Sequence, residues 1–216
     1  FPSVTAEGNV RGGKVSEVVY MVDGLPMQDM IGGGAGSSLP KSAITEFSIQ
    51  SGGFDAEYGN ALSGVVNIIT RRGSERHSLV VRAEKDDWIA GNVNRQNNHL
   101  TELELTLSGP IISERLHYFT ANTVQRNDTR WWQDFEKFFS APITTDYGGM
   151  GKLDYTVSPR IRLTAQEVYS IKKWRDYEFS WRFNLDGLPP RKRASFRTTA
   201  TLSHTLSDIV HYSFSL

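Results

Sequence analysis

FDAEYGNALSGVVNIITRRG, residues Phe54 to Gly73, is the stretch on which the reading of the whole chain turns. It opens as a polar, Gly-rich turn region, runs through the apolar segment Val65-Val66-Asn67-Ile68-Ile69, and closes on Thr70-Arg71-Arg72-Gly73. A short apolar run bounded by turn formers fits a buried strand. The residues before it are Gly-rich and irregular in pattern. Those after it alternate almost throughout. The stretch is therefore a joint between two kinds of structure.

Upstream, Val15 to Val22 (VSEVVYMV) is strand-like and ends at Asp23-Gly24. Asp-Gly after a β run predicts a tight turn, because Gly takes positive φ and Asp accepts local backbone hydrogen bonds. Met27 to Ser38 is polar, with Gly32-Gly33-Gly34 at its middle, and reads as an irregular segment able to move. Pro40 stands at the start of a short helical turn over residues 39–44. Glu46 to Gln50 alternates as a strand with Phe47 and Ile49 on one face, and Ser51-Gly52-Gly53 breaks it.

Downstream, seven segments alternate in polarity. Their apolar phases are Leu79/Val81/Ala83, Leu103/Leu105/Leu107, Phe119/Ala121, Leu153/Tyr155/Val157, Ile161/Leu163/Ala165, Phe196/Ala200/Leu202 and Val210/Tyr212/Phe214/Leu216. Alternation alone does not separate a half-buried soluble sheet from a membrane barrel. The links do. Residues 109–114, 158–159 and 207–208 make short links, whereas 86–98, 127–147 and 172–193 make long ones, in strict alternation. That is the rhythm of a barrel with tight periplasmic turns and extended outer loops. A sandwich has turn signals every 8–12 residues and no reason to alternate.

Composition narrows the function. The 216 residues carry 24 basic and 24 acidic side chains, so bulk charge points to no nucleic-acid partner. Cysteine is absent, which leaves no disulfide framework or thiolate metal site. Mean hydropathy is −0.39 and no long apolar run occurs. That excludes a transmembrane helix but not transmembrane strands, which need only about 9–11 alternating residues. The Gly-rich loops match neither GxxxxGK[ST] nor strand–GxGxxG–helix, so no nucleotide or other cofactor is expected. Asp23, Asp55 and Glu57 stand beside glycines and read as turn formers rather than catalytic carboxylates. No histidine precedes His77, and the five histidines show no metal-ligand spacing. No catalytic residue and no metal ligand is proposed.

Two further groups have more than one reading. Trp131 and Trp132 crowd one long link, and Trp174 and Trp181 the next. These aromatics could line a ligand vestibule, or form an interfacial girdle or a self-packed loop core. Arg191-Lys192-Arg193 reads as a solvated loop end facing anionic lipopolysaccharide.

Taken together, VRGG (residues 10–13), VVYMVDGLPMQD (18–29) and LPKSAITEFSIQSGGFDAEYGNALSGVVNIITRRG (39–73) resemble the second half of the plug domain of TonB-dependent outer-membrane receptors. The plug motif residues are Arg11, Gly12, Gly13, Asp23, Gly24, Glu57, Tyr58 and Gly59. Ser108-Gly109-Pro110-Ile111 followed by Arg115-Leu116-His117-Tyr118-Phe119 resembles the first periplasmic turn of these receptors. The wording is nearer to Bacteroidetes-type and regulatory-domain-bearing receptors, SusC-like importers among them, than to the simplest siderophore receptors. The resemblance implies a mainly β chain: the C-terminal part of an α/β plug over residues 1–75, then the first antiparallel strands of a transmembrane β-barrel over 76–216. Barrels with a plugged lumen have about 22 strands, which need roughly 220 residues before any loops. The chain is therefore expected to be a fragment, with the energy-coupling box elsewhere.

The implied function is TonB-dependent import of a scarce or large nutrient across the bacterial outer membrane, without covalent chemistry. Its partners would be TonB and the inner-membrane energising complex, outer-membrane lipid and lipopolysaccharide, the nutrient, and a surface lipoprotein. Glu102 and Glu104 share the polar face of their strand and are candidates to pair with Arg11, Arg71 or Arg72. The alternatives are a surface anchor or signalling receptor, and a soluble β-sandwich binding module.

Overall fold

The computed structural model describes residues 17–29, 35–51, 63–85, 100–127, 144–176, 178–181, 184, 187–207 and 209–216. The chain divides into two compact units, Phe1–Arg71 and Arg72–Leu216.

The first unit is a four-stranded sheet in the order β2-β1-β4-β3. Its strands are β1 (Val18–Val22), β2 (Leu25–Pro26), β3 (Ile44–Gln50) and β4 (Gly64–Thr70). The expected Asp-Gly turn joins β1 to β2. Asp23 has φ 50° and Gly24 φ 80°, the left-handed conformation that favours glycine. The helical turn after Pro40 is a 3-10 turn over Lys41–Ala43. β4 lies between β1, its parallel partner, and β3, its antiparallel partner. That central place explains why its sequence is largely apolar rather than alternating. Val18, Val65, Val66 and Ile68 are buried. The segment after Met27 is less irregular than its composition predicts. Gln28 and Ala35 form an isolated bridge, and Gly36 N–H donates to the Met27 carbonyl at 3.0 Å. Residues 30–34 of the Gly-rich stretch lie outside the described residues.

The second unit is one antiparallel sheet of seven strands whose neighbours follow chain order. They are β5 (Ser78–Lys85), β6 (Thr101–Ile112), β7 (Leu116–Asn127), β8 (Thr144–Ser158), β9 (Ile161–Trp174), β10 (Arg191–Thr205) and β11 (His211–Ser215). All seven alternating segments are strands, and they form a single sheet rather than a two-sheet sandwich. Their polar ends run further than the sequence predicts. Thr144 to Tyr147, Lys172 to Trp174 and Arg191 to Arg193 are in register with neighbours, not in links. β6 likewise continues through Gly109-Pro110, with a register irregularity between Pro110 and Ile112. A bulge of that kind is where a sheet accepts proline. The links at one end of the sheet are short, residues 113–115, 159–160 and 206–210. At the other end they span 86–100, 128–143 and 175–190.

The sheet is turned with its apolar side out. Cross-strand partners Leu79/Leu107 and Val81/Leu105 share one face. So do Leu153/Ala165/Ala200 and Tyr155/Leu163/Leu202/Phe214. On this face Leu79 is 63% exposed, Leu103 49% and Phe196 69%. The opposite face buries Glu102, Glu104, Thr106, Ser108, Lys152, Asp154 and Ser170, together with Phe119, Ala121, Met150 and Val168, so on β7 the expected apolar phase turns inward. In water this arrangement is backwards, because charged residues are almost never fully buried while leucines are left out. It suits a wall with hydrocarbon outside and a polar interior.

Candidate functional site

Among the described residues, two places bring chemistry-bearing side chains together. In the first unit, carboxylates clasp both ends of the parallel β1–β4 pair. At the leading end, the Ser63 hydroxyl donates to Glu17 Oε2 at 2.7 Å and Ser63 N–H to the Glu17 carbonyl at 3.1 Å. At the trailing end, Asp23 Oδ1 accepts from Thr70 N–H at 2.9 Å and Oδ2 from the Thr70 hydroxyl. Asp23 N–H also donates to the Ile68 carbonyl at 2.9 Å. Asp23 is thus a turn former, and it also ties the turn to the last residue of β4. Between the clasps, burial pushes the Tyr20 phenol above its ordinary value.

In the second unit, the polar face of the sheet carries the candidates. Glu102 and Glu104 sit two residues apart on β6, both buried. Register places Glu84 beside Glu102 and Arg82 beside Glu104. On β8, Lys152 and Asp154 repeat the pattern. Asp154 Oδ1 accepts from the Thr164 hydroxyl at 2.9 Å, while its Oδ2 is buried with no hydrogen-bond partner among the described residues. Lys152 and Asp154 were not singled out from sequence, although Lys152-Leu153-Asp154-Tyr155 shows the alternation that puts them on this face. Toward the long links, Trp174 Nε1 donates to Asp176 Oδ1 at 3.0 Å, and Arg191 pairs with Asp176 at 2.7 Å. Lys172 Nζ lies 5.7 Å from the Trp174 ring centroid. Trp174 is therefore tied into a polar cluster. Trp181 is 40% exposed, in the 3-10 turn Phe179–Trp181.

The predicted residues Arg11, Gly12, Gly13, Glu57, Tyr58, Gly59, Trp131 and Trp132 lie outside the described residues, and so does any pairing of Arg11. Arg71 and Arg72 are exposed. Two histidines contact tyrosines: His204 Nδ1 lies 2.8 Å from the Tyr212 hydroxyl and His77 Nδ1 3.4 Å from that of Tyr118. No group of three or more metal-ligating side chains occurs among the described residues.

Among the described residues, the apolar face also holds a polar link between β9 and β7 that sequence reasoning missed. The Tyr169 hydroxyl donates to Asn122 Oδ1 at 2.8 Å, and Asn122 Nδ2 to Thr120 Oγ1 at 3.2 Å. The Tyr169 ring reaches β7 by lying across Gly149 of β8, where an added Cβ would come 2.3 Å from the ring. Glycine here keeps the outer surface open for that ring.

No family model matches the chain. In sequence it is similar to the TonB-dependent transporter Oar of Myxococcus xanthus, 28% identical over 186 residues that take in 78% of this chain and 17% of that protein. In fold it is similar to the siderophore receptor PirA of Pseudomonas aeruginosa, with a TM-score of 0.71 and 17% identity over 99% of this chain and 34% of the receptor. The outer membrane transporter YddB of Escherichia coli gives a TM-score of 0.65 and 13% identity over 92% of this chain and 30% of that one. The chain spans about a sixth of the curated relative's length and about a third of these solved structures. Sequence and fold point the same way: the chain is similar in sequence to a TonB-dependent transporter, and in fold to parts of outer-membrane receptors and transporters.

Proposed function

We propose that the chain is part of a TonB-dependent active importer that carries a scarce or large nutrient across the outer membrane. Residues 1–75 are the C-terminal part of its plug, the gate that rearranges. Residues 76–216 are the first strands of a barrel of about 22, the size typical of plugged transporters. The observation that carries this reading is the inverted sidedness of the seven-stranded sheet, with leucines outside and Glu104, Lys152 and Asp154 inside. Such a wall has a use only around a polar path through hydrocarbon. The short and long links, which fall at opposite ends of the strands, support it.

No step in import makes or breaks a covalent bond, so the work assigned to these residues is binding, guiding and yielding. The partners are TonB and its inner-membrane energising complex, with the nutrient on the outer side. A surface lipoprotein and lipopolysaccharide are further partners in this reading. An affiliation with Bacteroidetes-type, regulatory-domain-bearing or SusC-like receptors rests on the motif wording alone.

Growth of a deletion strain on a panel of limiting nutrients is the test. Import predicts a defect on at least one source, reproduced by loss of TonB and repaired by the full-length gene. Normal growth on every source would leave the surface-anchor or signalling reading in its place.

A further inference from the structure

One carboxylate stands in the middle of the outward face. On β9, Glu167 falls between Leu163 and Ala165 on one side and Tyr169 and Ile171 on the other, all in the outward phase. Roughly 20 Å of strand separates it from Ile161 and from Lys173, so it lies far from both rims. Its side chain is exposed and makes no hydrogen bond or ion pair among the described residues. Both neighbouring strands, β8 and β10, are in register beside it.

The wall next to this carboxylate is hollow. In register with Glu167 stand Gly151 of β8 and Thr198 of β10, and beyond Gly151 stands Thr120 of β7. A Cβ added at Gly151 would meet nothing within 4 Å. The result is an open recess of about 310 Å³, lined among others by Tyr118, Thr120, Gly151, Ala165, Glu167 and Thr198. With no side chain at Gly151 its floor is backbone, and its rim carries two hydroxyls and the carboxylate.

An ionisable side chain turned to hydrocarbon at mid-depth is costly, and such a residue calls for a named partner. Snorkelling does not relieve it, since that device belongs to the long stems of Lys and Arg. Lipid does not relieve it either, because headgroups lie at the rims and acyl chains carry no donor. A cation delivered at the same depth does, and attraction there is strong because the medium is of low dielectric. A second copy of this sheet brings no such cation. Among the described residues its outward Lys and Arg side chains, Lys85, Arg126, Lys173 and Lys192, stand at the long-link end.

We propose that the recess is the docking site for a neighbouring membrane-spanning protein that turns a lysine or arginine toward lipid at mid-depth, an assignment that rests on the membrane-wall reading above. The partner's side chain enters over Gly151 and pairs with Glu167, with the Thr120 and Thr198 oxygens as further acceptors. Each charge is unfavourable alone in hydrocarbon, so the two surfaces gain by meeting.

The test places the full-length receptor in phospholipid vesicles with labelled polyleucine transmembrane peptides as probes. One peptide has a central lysine, one a central glutamate, and one is leucine throughout; resonance energy transfer reads association. The lysine peptide should bind about tenfold more tightly than the leucine peptide, the scale of one charge-assisted hydrogen bond. The glutamate peptide should bind no better than leucine. E167Q and E167L should each remove the lysine preference, and G151L should remove it by filling the recess. Heat-modifiable gel migration checks folding, and the nearly isosteric E167Q serves if the other variants do not fold. E167L should also raise the urea midpoint of the receptor alone in vesicles, because no acid then faces lipid. A lowered midpoint would mean that Glu167 serves the fold, and would overturn the proposal. Equal binding of the three peptides would overturn it, as would a lysine preference that survives in E167Q. Transfer between two labelled receptors that E167L abolishes, without any lysine preference, would assign the recess to a second copy instead. A receptor that selects the lysine peptide but supports no nutrient uptake would remove the import reading and leave this site standing.

Discussion

In the four-stranded sheet, Val18, Val65, Val66 and Ile68 are buried, and the exposed positions of β3 are mostly polar. In the seven-stranded sheet, Leu79, Val81, Leu103 and Phe196 are exposed, and Glu102, Glu104, Lys152 and Asp154 are buried. Both sheets are built from the same side chains, and both obey the period of two where a strand has two unlike faces. The difference lies in what each face meets. Alternation fixes which residues share a face, and the surroundings decide which face is the inside. A buried leucine in the second sheet would forgo hydrocarbon, whereas Glu167, in phase with Ala165 and Tyr169, is an exposed acid on the outward side.

Substitutions that exchange the two logics test this contrast. The largest effect is expected from Val65→Asp, which puts an unpaired carboxylate into the central strand of the first sheet. A loss on the order of 3–5 kcal/mol is expected, seen as early proteolysis of this unit within the full-length receptor. Next is Leu105→Arg on the outward face of β6. In lipid vesicles it should cost about 2–4 kcal/mol by urea titration, as a cation on a barrel's lipid face does. On a soluble sheet an exposed position changes by only about 0.5 kcal/mol, so a near-neutral result would remove the membrane wall. The finest test is a pair of glycines on the same face of β8. Gly149→Ala must displace the Tyr169 ring and break its bond to Asn122, a loss of about 1 kcal/mol. Gly151→Ala meets nothing within 4 Å and should fall inside about 0.5 kcal/mol. Equal effects at the two sites would mean that the Tyr169 link is not held in the membrane.

Much of the fold was written in the pattern. Leu103-Leu105-Leu107 and Ile161-Leu163-Ala165 announce strands because period-two spacing has few other uses. Asp23-Gly24 announces its turn because few residues take positive φ. The strand ends were hidden. Thr144-Thr145-Asp146 and Arg191-Lys192-Arg193 are polar, and polar residues beside a long link read as part of it. In a wall with polar rims such residues remain in the ladder. Of the site, Glu102 and Glu104 were visible as a polar phase. The Asp23–Thr70 clasp was not, since its partners lie 47 positions apart.

The clasped pair β1–β4 has a mechanical meaning as well as a structural one. Its strands are parallel, β1 is first in the described sheet and β4 last. A pull that enters the chain before β1 and leaves it after β4 therefore drags the two strands in opposite directions along their length. Every pairing from Val18/Gly64 to Val22/Ile68 is then loaded together, in shear, with Glu17–Ser63 and Asp23–Thr70 as pins at the two ends. The antiparallel β3–β4 ladder has no such protection. Its partnered ends, Ile44 and Thr70, lie at the same end, so a pull applied between those two ends would open it one rung at a time. Against a pull that enters before β1 and leaves after β4, the unit resists at its central pair.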